Sequence, residues 1–571
     1  MATHRRYDAL WLTAIVIAGV SLRTYRLRWG LPEFAYPDGV MYFVRPAARL
    51  VALGEWIPAH FVHPPGLVYL TALVFAMWSR VSGTAIAPAG GGFYAQLPTL
   101  TLLGRATSVV LSAGAIVVLA RFARRLIGSR GALLAASIFA LAPLQVLEAH
   151  RIQPDAPMLL LVLIAAELAV VGQARGRRGL LLAAYFLAGF SGGFKFTGLA
   201  VAAVPAWVTW RWPGGERPAR RFLWIAAGGG LAVVGLALAC FPAFFDWQKA
   251  WQTGSAVIYY SYVFGMPGVD IKAPGWTYTR YLYGLVVALP YLLGWPAYLA
   301  ALSGLVVLVR RMGGAAGIVL AFVVPYFAII GGAVAVVARY YLPLGPFLAL
   351  AAGAALDRCL ASARVGRPLG VVVTGAVLAY TLALTVSQCE RLGLGPQRAV
   401  VGIVAAQEGR LDAADRKLNV AYPHILTLSY DALRPLLEAV PRVHEVFYPP
   451  QYQQVRLEKP ELPPDDVAIA AERRWARDND VAVVVLPSWV EHAVLRERPD
   501  GGTARFFRHL ADGTVGFRLA GDFRTRFLTQ ALYTWGDPML DTHWETGITG
   551  YKVFVRSDAP QIGDDRTAAG R

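Results

Sequence analysis

The sequence predicts an all-α polytopic membrane protein with about eleven transmembrane helices, followed by a soluble α/β domain at its C-terminal end. Of its 571 residues, 56% are hydrophobic and 16% are charged, whereas soluble domains carry roughly 25% charged residues. The mean hydropathy of +0.47 agrees with this assignment. The net charge of +18 comes from Lys and Arg in short clusters between apolar runs, as in cytoplasmic loops. This clustering argues against nucleic acid as a partner.

The first apolar run is predicted to be a transmembrane helix that is not cleaved. Arg5 and Arg6 precede the run at 9–22, as in a signal peptide, but no small-residue cleavage site follows it. Three Cys residues stand far apart, so their spacing indicates neither a disulfide framework nor a metal site.

The positions of the basic clusters predict the orientation of the helices. A span needs about 20 mostly apolar residues, and the candidates are 9–23, 66–84, 102–120, 131–148, 156–173, 179–194, 198–210, 221–241, 283–309, 315–337, 340–356 and 368–387. If 66–84 lies on the outer surface, all the major basic clusters fall on the cytoplasmic side, as the positive-inside rule requires. We therefore expect eleven spans and a cytoplasmic N-terminus. Arg23, Arg26 and Arg28 then lie outside, against the rule.

The chain is expected to have two domains. Residues 1–387 form the transmembrane module, with an outer loop at 24–100 that carries surface helices. Residues 388–571 form an extracytoplasmic domain, because they include an amphipathic stretch at 465–478 and β-like runs at 481–486 and 551–555.

Two acidic residues are predicted at the outer face, each just before or at the start of a helix. Asp38 precedes the helix-like segment 40–53, and Asp155 opens the span at 156–173. Each residue suits a helix N-cap. Two carboxylates on one membrane face also suit general acid/base chemistry or binding of a substrate hydroxyl, and both interpretations stay open.

Five basic residues are predicted at the outer ends of the spans. Any one of them suits snorkelling towards lipid headgroups. Together they favour an anionic ligand such as a phosphate, and Lys195 is the strongest candidate because it interrupts an apolar stretch. The five are Arg105, Arg151, Lys195, Arg280 and Arg339.

The segment His63-Pro64-Pro65-Gly66 is predicted to end a loop and begin the surface helix, since Pro suits the first helical turn. His63 and His60 could bind a metal, but no carboxylate or Cys stands at ligand spacing, so a metal is the less favoured interpretation. Tyr and Trp residues crowd the loop at 242–282 and suit either an interfacial belt or a lid over a ligand.

Short motifs in a fixed order resemble those of the GT-C membrane glycosyltransferases, especially the bacterial branch related to protein O-mannosyltransferases and the lipid A aminoarabinose transferase. The resemblance covers about residues 1–387. The matching segments are Leu22-Arg23-Thr24-Tyr25-Arg26-Leu27, Pro37-Asp38, Gly54-Glu55-Trp56-Ile57-Pro58, His63-Pro64-Pro65, Arg105, Pro154-Asp155-Ala156-Pro157, Lys195-Phe196-Thr197-Gly198 and 339–347. Gly39 stands where the family usually has a second acid, which weakens any metal site at Asp38.

The resemblance implies a transferase that uses a polyprenyl-phosphate sugar and works at the outer face of the bacterial inner membrane. Asp38 would be the general base for an acceptor that is a lipid, a glycan or a protein, and direct displacement would invert the anomeric centre. Lys195, with Arg105, Arg151, Arg339 and His63, would hold the carrier phosphate, while Asp155 would bind sugar hydroxyls or position Asp38. A divalent metal is possible but not favoured.

Two other classes of protein remain as alternatives. A lipid or sugar transporter would show repeat symmetry and polar groups at the bilayer midplane; Glu167, inside a predicted span, is the one feature in its favour. A non-catalytic envelope scaffold would need neither Asp38 nor Asp155.

Overall fold

The computed structural model separates into two compact units. The first comprises residues 1–28 and 35–390, and the second comprises 29–34 and 391–571. The residues described are 2–32, 39–59, 61–213, 217–253, 280–333, 338–362, 366–390, 392, 395–411, 417–422, 440–447, 464–488, 491, 495, 500–523 and 550–558.

Within its described residues, the first unit is helical. Its α-helices are α1 (Ala2–Thr24), α2 (Arg45–Leu53), α3 (Gly66–Ser82), α4 (Gly90–Leu141), α5 (Pro143–Ala149), α6 (Asp155–Ala174), α7 (Arg178–Gly192), α8 (Ala203–Trp210), α9 (Pro218–Ala239), α10 (Trp247–Thr253), α11 (Arg280–Tyr283), α12 (Leu289–Leu293), α13 (Trp295–Arg311), α14 (Gly313–Gly331), α15 (Gly345–Ala361) and α16 (Arg367–Glu390). π-helical turns at Val40–Val44 and Gly284–Ala288 and 3₁₀ segments at Phe196–Ala202, Phe241–Phe244 and Ala338–Leu344 extend this framework.

Helix α4 is a hairpin of two spans. Gly128 breaks it with φ 81° and ψ 173°, a conformation that glycine adopts without strain. Arg124, before the break, pairs with Asp8 near the start of α1 at 3.3 Å. Arg105 donates to the carbonyl of Leu27 at 2.8 Å, and Arg23 donates to that of Ala140 at 2.7 Å. The parts of α4 around Arg105 and Ala140 therefore lie near the end of α1, and the part around Arg124 lies near its start.

These contacts define two ends of the first unit, here called the Thr24 end and the Asp8 end. Helix α16 finishes at the Thr24 end, where Arg26 pairs with Glu390 at 2.6 Å. Helix α15 reaches the Asp8 end, where Asp357 pairs with Arg130. The N-terminal helix therefore starts at the end opposite to that where the first unit finishes.

The described residues contain six helices that are long and apolar enough to span a membrane, or seven if the bent pair 281–293 and 295–311 counts as one span. Helix α4 is one of the six, and helices at 66–82, 178–192 and 196–210 are apolar but shorter. A polytopic, mostly helical architecture is thus confirmed, while the number eleven stays a prediction. The expected spans at 102–120 and 131–148 fall on either side of the break at Gly128, but the first begins earlier, at Gly90, and the second ends at Leu141.

Two of the three arginines that broke the positive-inside rule, Arg23 and Arg26, have protein partners. Arg23 is fully buried and donates to Ser112 at 2.8 Å as well as to carbonyls of α4. Arg26 lies in the ion pair with Glu390. Arginines whose side chains are bound to other protein groups in this way are not free loop charges. They therefore carry little weight in the positive-inside rule.

Glu167 also has partners within the protein. Its Oε1 lies 3.1 Å from Nη2 of Arg121 and 3.7 Å from Nη2 of Arg125. The carboxylate therefore belongs to the Asp8 end, and the one feature that favoured transport has a structural explanation.

The second unit contains a mixed five-stranded sheet in the order β2-β1-β3-β5-β4. Strand β1 pairs in parallel with β2 and β3, while β5 pairs antiparallel with β3 and β4. The elements are α17 (Gly395–Glu408), β1 (Leu418–Tyr422), β2 (Val443–Phe447), α18 (Asp465–Asp478), β3 (Val481–Pro487), α19 (Gly502–Ala511), β4 (Phe517–Phe523) and β5 (Tyr551–Arg556).

Helices cover both faces of this sheet. Val484 and Leu486 of β3 pack with Phe507 and Leu510 of α19, while Val483 and Val485 pack with residues of α17. Because both faces of β3 are covered, the strand is a nearly continuous apolar run. The predicted α/β character of this region is observed, with helix 465–478 and strands at 481–487 and 551–556 where the sequence placed them.

Candidate functional site at the Thr24 end

The centre of the candidate site is a buried ion pair between Lys195 and Asp155. The Lys195 Nζ donates to Oδ1 of Asp155 at 2.7 Å, and the two side chains are 4% and 8% exposed. Asp155 is the first residue of α6, and Lys195 follows α7. Forty residues separate them, yet the helical hairpin of α6 and α7 brings them together.

The predicted N-cap role of Asp155 is wrong. Pro154 holds the N-cap position, and no side chain caps the helix there. The Asp155 carboxylate instead accepts a hydrogen bond from Lys195, so the residue lies in the first turn, where negative charge is favoured.

Tyr340 brings a second cation to this pair. The Lys195 Nζ lies 5.0 Å from the centre of the Tyr340 ring, and the Arg339 Cζ lies 5.9 Å from it. Both distances are within cation–π range. The 3₁₀ segment before α15 thus places Arg339 next to Lys195, and a ligand beside the ring would meet two positive charges and one carboxylate.

His63 completes the cluster. Its ring is 5.6 Å from that of Tyr42 and 5.4 Å from that of Phe43. The pKa of His63 is lowered to about 3, mainly by burial and also by the nearby charges of Arg339 and Lys195, while Asp155 opposes them. The imidazole is therefore neutral at physiological pH. We name His63, Asp155, Lys195, Arg339 and Tyr340 the Lys195 cluster.

Close backbone contact holds the loop of His63 against the loop of Lys195. The amide of Gly66 donates to the carbonyl of Gly193 at 2.9 Å. A Cβ at position 66 would lie 2.6 Å from that same oxygen, so only glycine fits there. Helix α3 begins at Gly66, as the His-Pro-Pro-Gly segment predicted.

Asp38, the predicted general base, lies outside the described residues, as do His60 and the aromatic loop 254–279. The next residue, Gly39, is described, and a Cβ there would lie 3.5 Å from Cβ of Ile152. The chain at position 39 is therefore adjacent to the loop that leads into Asp155. Helical structure follows at 40–53, as predicted.

Arg105 and Arg151 form a second, neighbouring group. Arg151 donates to Oε1 of Glu148 at 2.7 Å, and Ser108 donates to the carbonyl of Arg151 at 2.8 Å. Arg105 binds the carbonyl of Leu27, and both arginines are about 1% exposed. These contacts show the two cations holding α1, α4 and α5 together. Their predicted role at the carrier phosphate stays a prediction.

Sequence reasoning missed two members of these groups. Glu148 was not singled out, although an acid three residues before Arg151 on a helical stretch is at ion-pair spacing. Tyr340 stood inside a quoted motif without a role. Among the described residues, no group of three or more His, Cys, Asp or Glu side chains lies close enough to hold a metal ion.

Comparison with known proteins bears on both the sequence and the fold. Residues 101–243 match the model of the family described as dolichyl-phosphate-mannose-protein mannosyltransferase, and this segment contains Arg105, Arg151, Asp155 and Lys195. No curated protein matches the sequence. The archaeal oligosaccharyltransferase AglB from Archaeoglobus fulgidus, solved with an inhibitory peptide and a dolichol-phosphate, matches with a TM-score of 0.50 at 12% identity, over 94% of this chain and 75% of that one.

The fold is that of the GT-C membrane glycosyltransferases. The resemblance that the motifs predicted is thereby confirmed. Two other GT-C structures align with lower scores. ArnT from Cupriavidus metallidurans bound to undecaprenyl phosphate gives a TM-score of 0.48 at 15% identity, over 86% of this chain and 94% of that one. The arabinofuranosyltransferase AftD from Mycobacteria gives 0.42 at 15% identity, over 98% and 40%.

Proposed function

We propose that this GT-C protein is a membrane glycosyltransferase that moves a sugar from a polyprenyl-phosphate donor to an acceptor at the outer face of the membrane. The observation that carries the proposal is the Lys195 cluster. Its cations, carboxylate and aromatic ring converge at the Thr24 end of the helices, where four of the seven predicted site residues meet.

The donor class follows from the charge of the cluster and from the family match. A carrier monophosphate is an anion that would lie at the membrane interface, and Lys and Arg are the usual phosphate ligands. The matched family is named for dolichyl-phosphate-mannose, and the AglB complex contains a dolichol-phosphate. Both names support a lipid phosphate as the carrier for this chain.

The leaving phosphate would be stabilised by Lys195 and Arg339. As the bond between the anomeric carbon and the phosphate oxygen breaks, negative charge grows on that oxygen. Fixed cations close to it lower the barrier most when water is excluded. Asp155 holds the Lys195 ammonium in place at 2.7 Å, so its proposed role becomes positioning of Lys195.

The acceptor oxygen would attack the anomeric carbon from the side opposite to the phosphate and would invert that centre. Asp38 would take the proton of the acceptor hydroxyl, a general-base contribution of about 10²–10⁴-fold in rate. Gly39 lies beside Ile152 in the loop that leads to Asp155, which supports placing Asp38 near the cluster.

The test uses purified protein in lipid nanodiscs with a panel of polyprenyl-phosphate sugars. Release of carrier phosphate by the parent, with loss in Lys195→Ala and in Asp38→Asn, is the expected result. Arg80→Gln, at an exposed end of α3, is the matched control and keeps its activity. Release that survives Asp38→Asn would remove the proposed base, and absence of both turnover and donor binding in the parent would overturn the proposal.

A further inference from the structure

A cavity of about 360 Å³ lies beside the Lys195 cluster and has no role in the donor chemistry above. It is formed by the helical segment 40–53, the loop that follows it, the start of α3 and helix α10. The lining residues used below are Tyr42, Arg45, Arg49, Glu55 and Lys249. Binding pockets for small molecules typically enclose about 300–1,000 Å³, so the cavity suits a small head group.

Positive charge dominates the polar lining of this cavity, with three cations and one carboxylate. Arg49 is occupied by Glu55, whose two oxygens lie 2.7 and 2.6 Å from its guanidinium. Lys249 pairs with Asp246 at 2.9 Å. Arg45 is exposed and forms no ion pair with any residue in the described part of the chain. A planar guanidinium of this kind suits a carboxylate or phosphate.

A single side chain connects the cavity with the Lys195 cluster. Tyr42 lines the cavity, and its ring meets the ring of His63 edge-on at 5.6 Å. His63 in turn interacts electrostatically with Arg339, Lys195 and Asp155. Met41, another lining residue, follows the proposed base Asp38 by three positions. An acceptor held in the cavity would therefore stand on the Asp38 side of the donor site.

Exposed aromatic side chains border the cavity next to Glu55 and Lys249. Trp56 packs on Phe245 at 4.9 Å and on Phe241 at 6.1 Å. Phe244 and Trp247 are 67% and 66% exposed. Exposed aromatic groups of this kind mark a membrane interface. The cavity therefore faces molecules that are anchored in the same membrane.

Resting on the proposed function, we infer that this cavity is the acceptor subsite and that the acceptor is a lipid-anchored saccharide with an acidic group. Arg45 binds the carboxylate or phosphate of that acceptor, and the apolar wall contacts the sugar ring. The charge of Arg45, the size of the cavity and the aromatic border each point to this one class of ligand.

The test measures binding of four probes to the full-length protein in phosphatidylcholine nanodiscs, without donor. The probes are octyl glucuronide, octyl glucoside, free glucuronate and inorganic phosphate. Octyl glucuronide is expected to bind at least about tenfold more tightly than the other three. Arg45→Gln should weaken it by about tenfold, the usual size of one charge-assisted contact. Lys249→Gln should weaken it less, and Arg80→Gln, a lost surface charge outside the cavity, should leave it unchanged.

Equal binding of the charged and neutral glycosides, or an unaltered affinity in Arg45→Gln, would overturn the inference. So would inorganic phosphate that binds as tightly as octyl glucuronide. Loss of octyl glucuronide binding in phosphatidylglycerol nanodiscs would show a phospholipid headgroup site instead. The parent is assayed separately for release of carrier phosphate, so that a failure of the donor chemistry is distinguished from a failure of this subsite.

Discussion

Lys195 determines how much positive charge the cluster can offer a ligand. With Asp155 at 2.7 Å, the pair is close to neutral, and Arg339, 5.9 Å from the centre of the Tyr340 ring, supplies the surplus charge. A phosphate that enters would compete with Asp155 for the same ammonium. The Lys195 ammonium has three N–H donors. Catalysis would thus depend on Asp155 holding Lys195 in place while leaving at least one of these donors for the phosphate.

Breaking this pair is expected to destabilise the protein strongly. Lys195→Met leaves the Asp155 carboxylate buried without its partner, which typically costs about 3–5 kcal/mol. The double variant Asp155→Leu, Lys195→Met should lose much less, because no charge remains buried. The unfolding midpoint in detergent measures both.

Asp8→Asn is the control for this comparison, because it breaks the half-exposed pair with Arg124 and should shift the midpoint little. If the double variant is as unstable as Lys195→Met, the loss of stability does not come from an unpaired buried charge. The ion pair itself would then stabilise the fold.

His63 is expected to make the protein sensitive to mild acid. Its pKa is about 3 in the folded state and about 6.5 when unfolded, so below pH 6.5 the unfolded chain binds a proton that the folded chain does not. Stability therefore falls as the pH drops, by up to about 2 kcal/mol at pH 5.

His63→Gln should lose this part of the pH dependence. The comparison is the change in unfolding midpoint between pH 7 and pH 5, with exposed His444→Gln as the control. An identical acid response in His63→Gln and the parent would show that His63 is solvated in the folded protein.

The identity of the charged site residues could be predicted from the sequence, but not their pairing. A lysine within an apolar stretch and an acid at a helix start are visible as costly residues, which is why Lys195 and Asp155 stood out. Their separation of 40 residues carries no information on contact. The ion pair, and the shared Tyr340 ring, depend on how α6, α7 and the segment before α15 pack.

At the scale of elements, the start of α3 acts as a rigid contact between two loops. Gly66→Ala should push the His63 loop away from Gly193, since the added Cβ would lie 2.6 Å from a carbonyl oxygen. Overpacking of this kind costs about 1–3 kcal/mol. Both the unfolding midpoint and carrier-phosphate release should fall.

Gly91→Ala is the matched control, because a Cβ there meets nothing within 4 Å. A Gly66→Ala protein with unchanged stability and activity would show that the two loops can separate without consequence for the site.

The starts of α3 and α6 could be read from Pro and Asp residues, and the strands of the second unit from their apolar, β-branched runs. The bounds of α4 could not. Apolar periodicity identifies each half, but the sequence between them is Arg-rich and helical in propensity, so only the backbone conformation of Gly128 separates the two halves.

At the scale of the whole molecule, the first unit starts and finishes at opposite ends. If the Asp8 end is cytoplasmic, as the basic clusters predict, single cysteines at Arg177 and Asp512 should differ in access. With the three native cysteines replaced by alanine, a membrane-impermeant maleimide on intact spheroplasts should label Asp512→Cys and spare Arg177→Cys. The opposite pattern would invert the proposed topology.

The hairpin of α4 also constrains how the protein is made. Its 52 residues would extend about 78 Å as one straight rod, against about 30 Å of hydrocarbon. The short Arg-rich turn around Gly128 leaves no loop between its two halves, so the first half cannot be integrated far ahead of the second. We expect the insertion machinery to release them into lipid together, as a folded pair. A ribosome stalled after the first half alone would therefore leave that half extractable, and biogenesis at this point would proceed in steps of two helices rather than one.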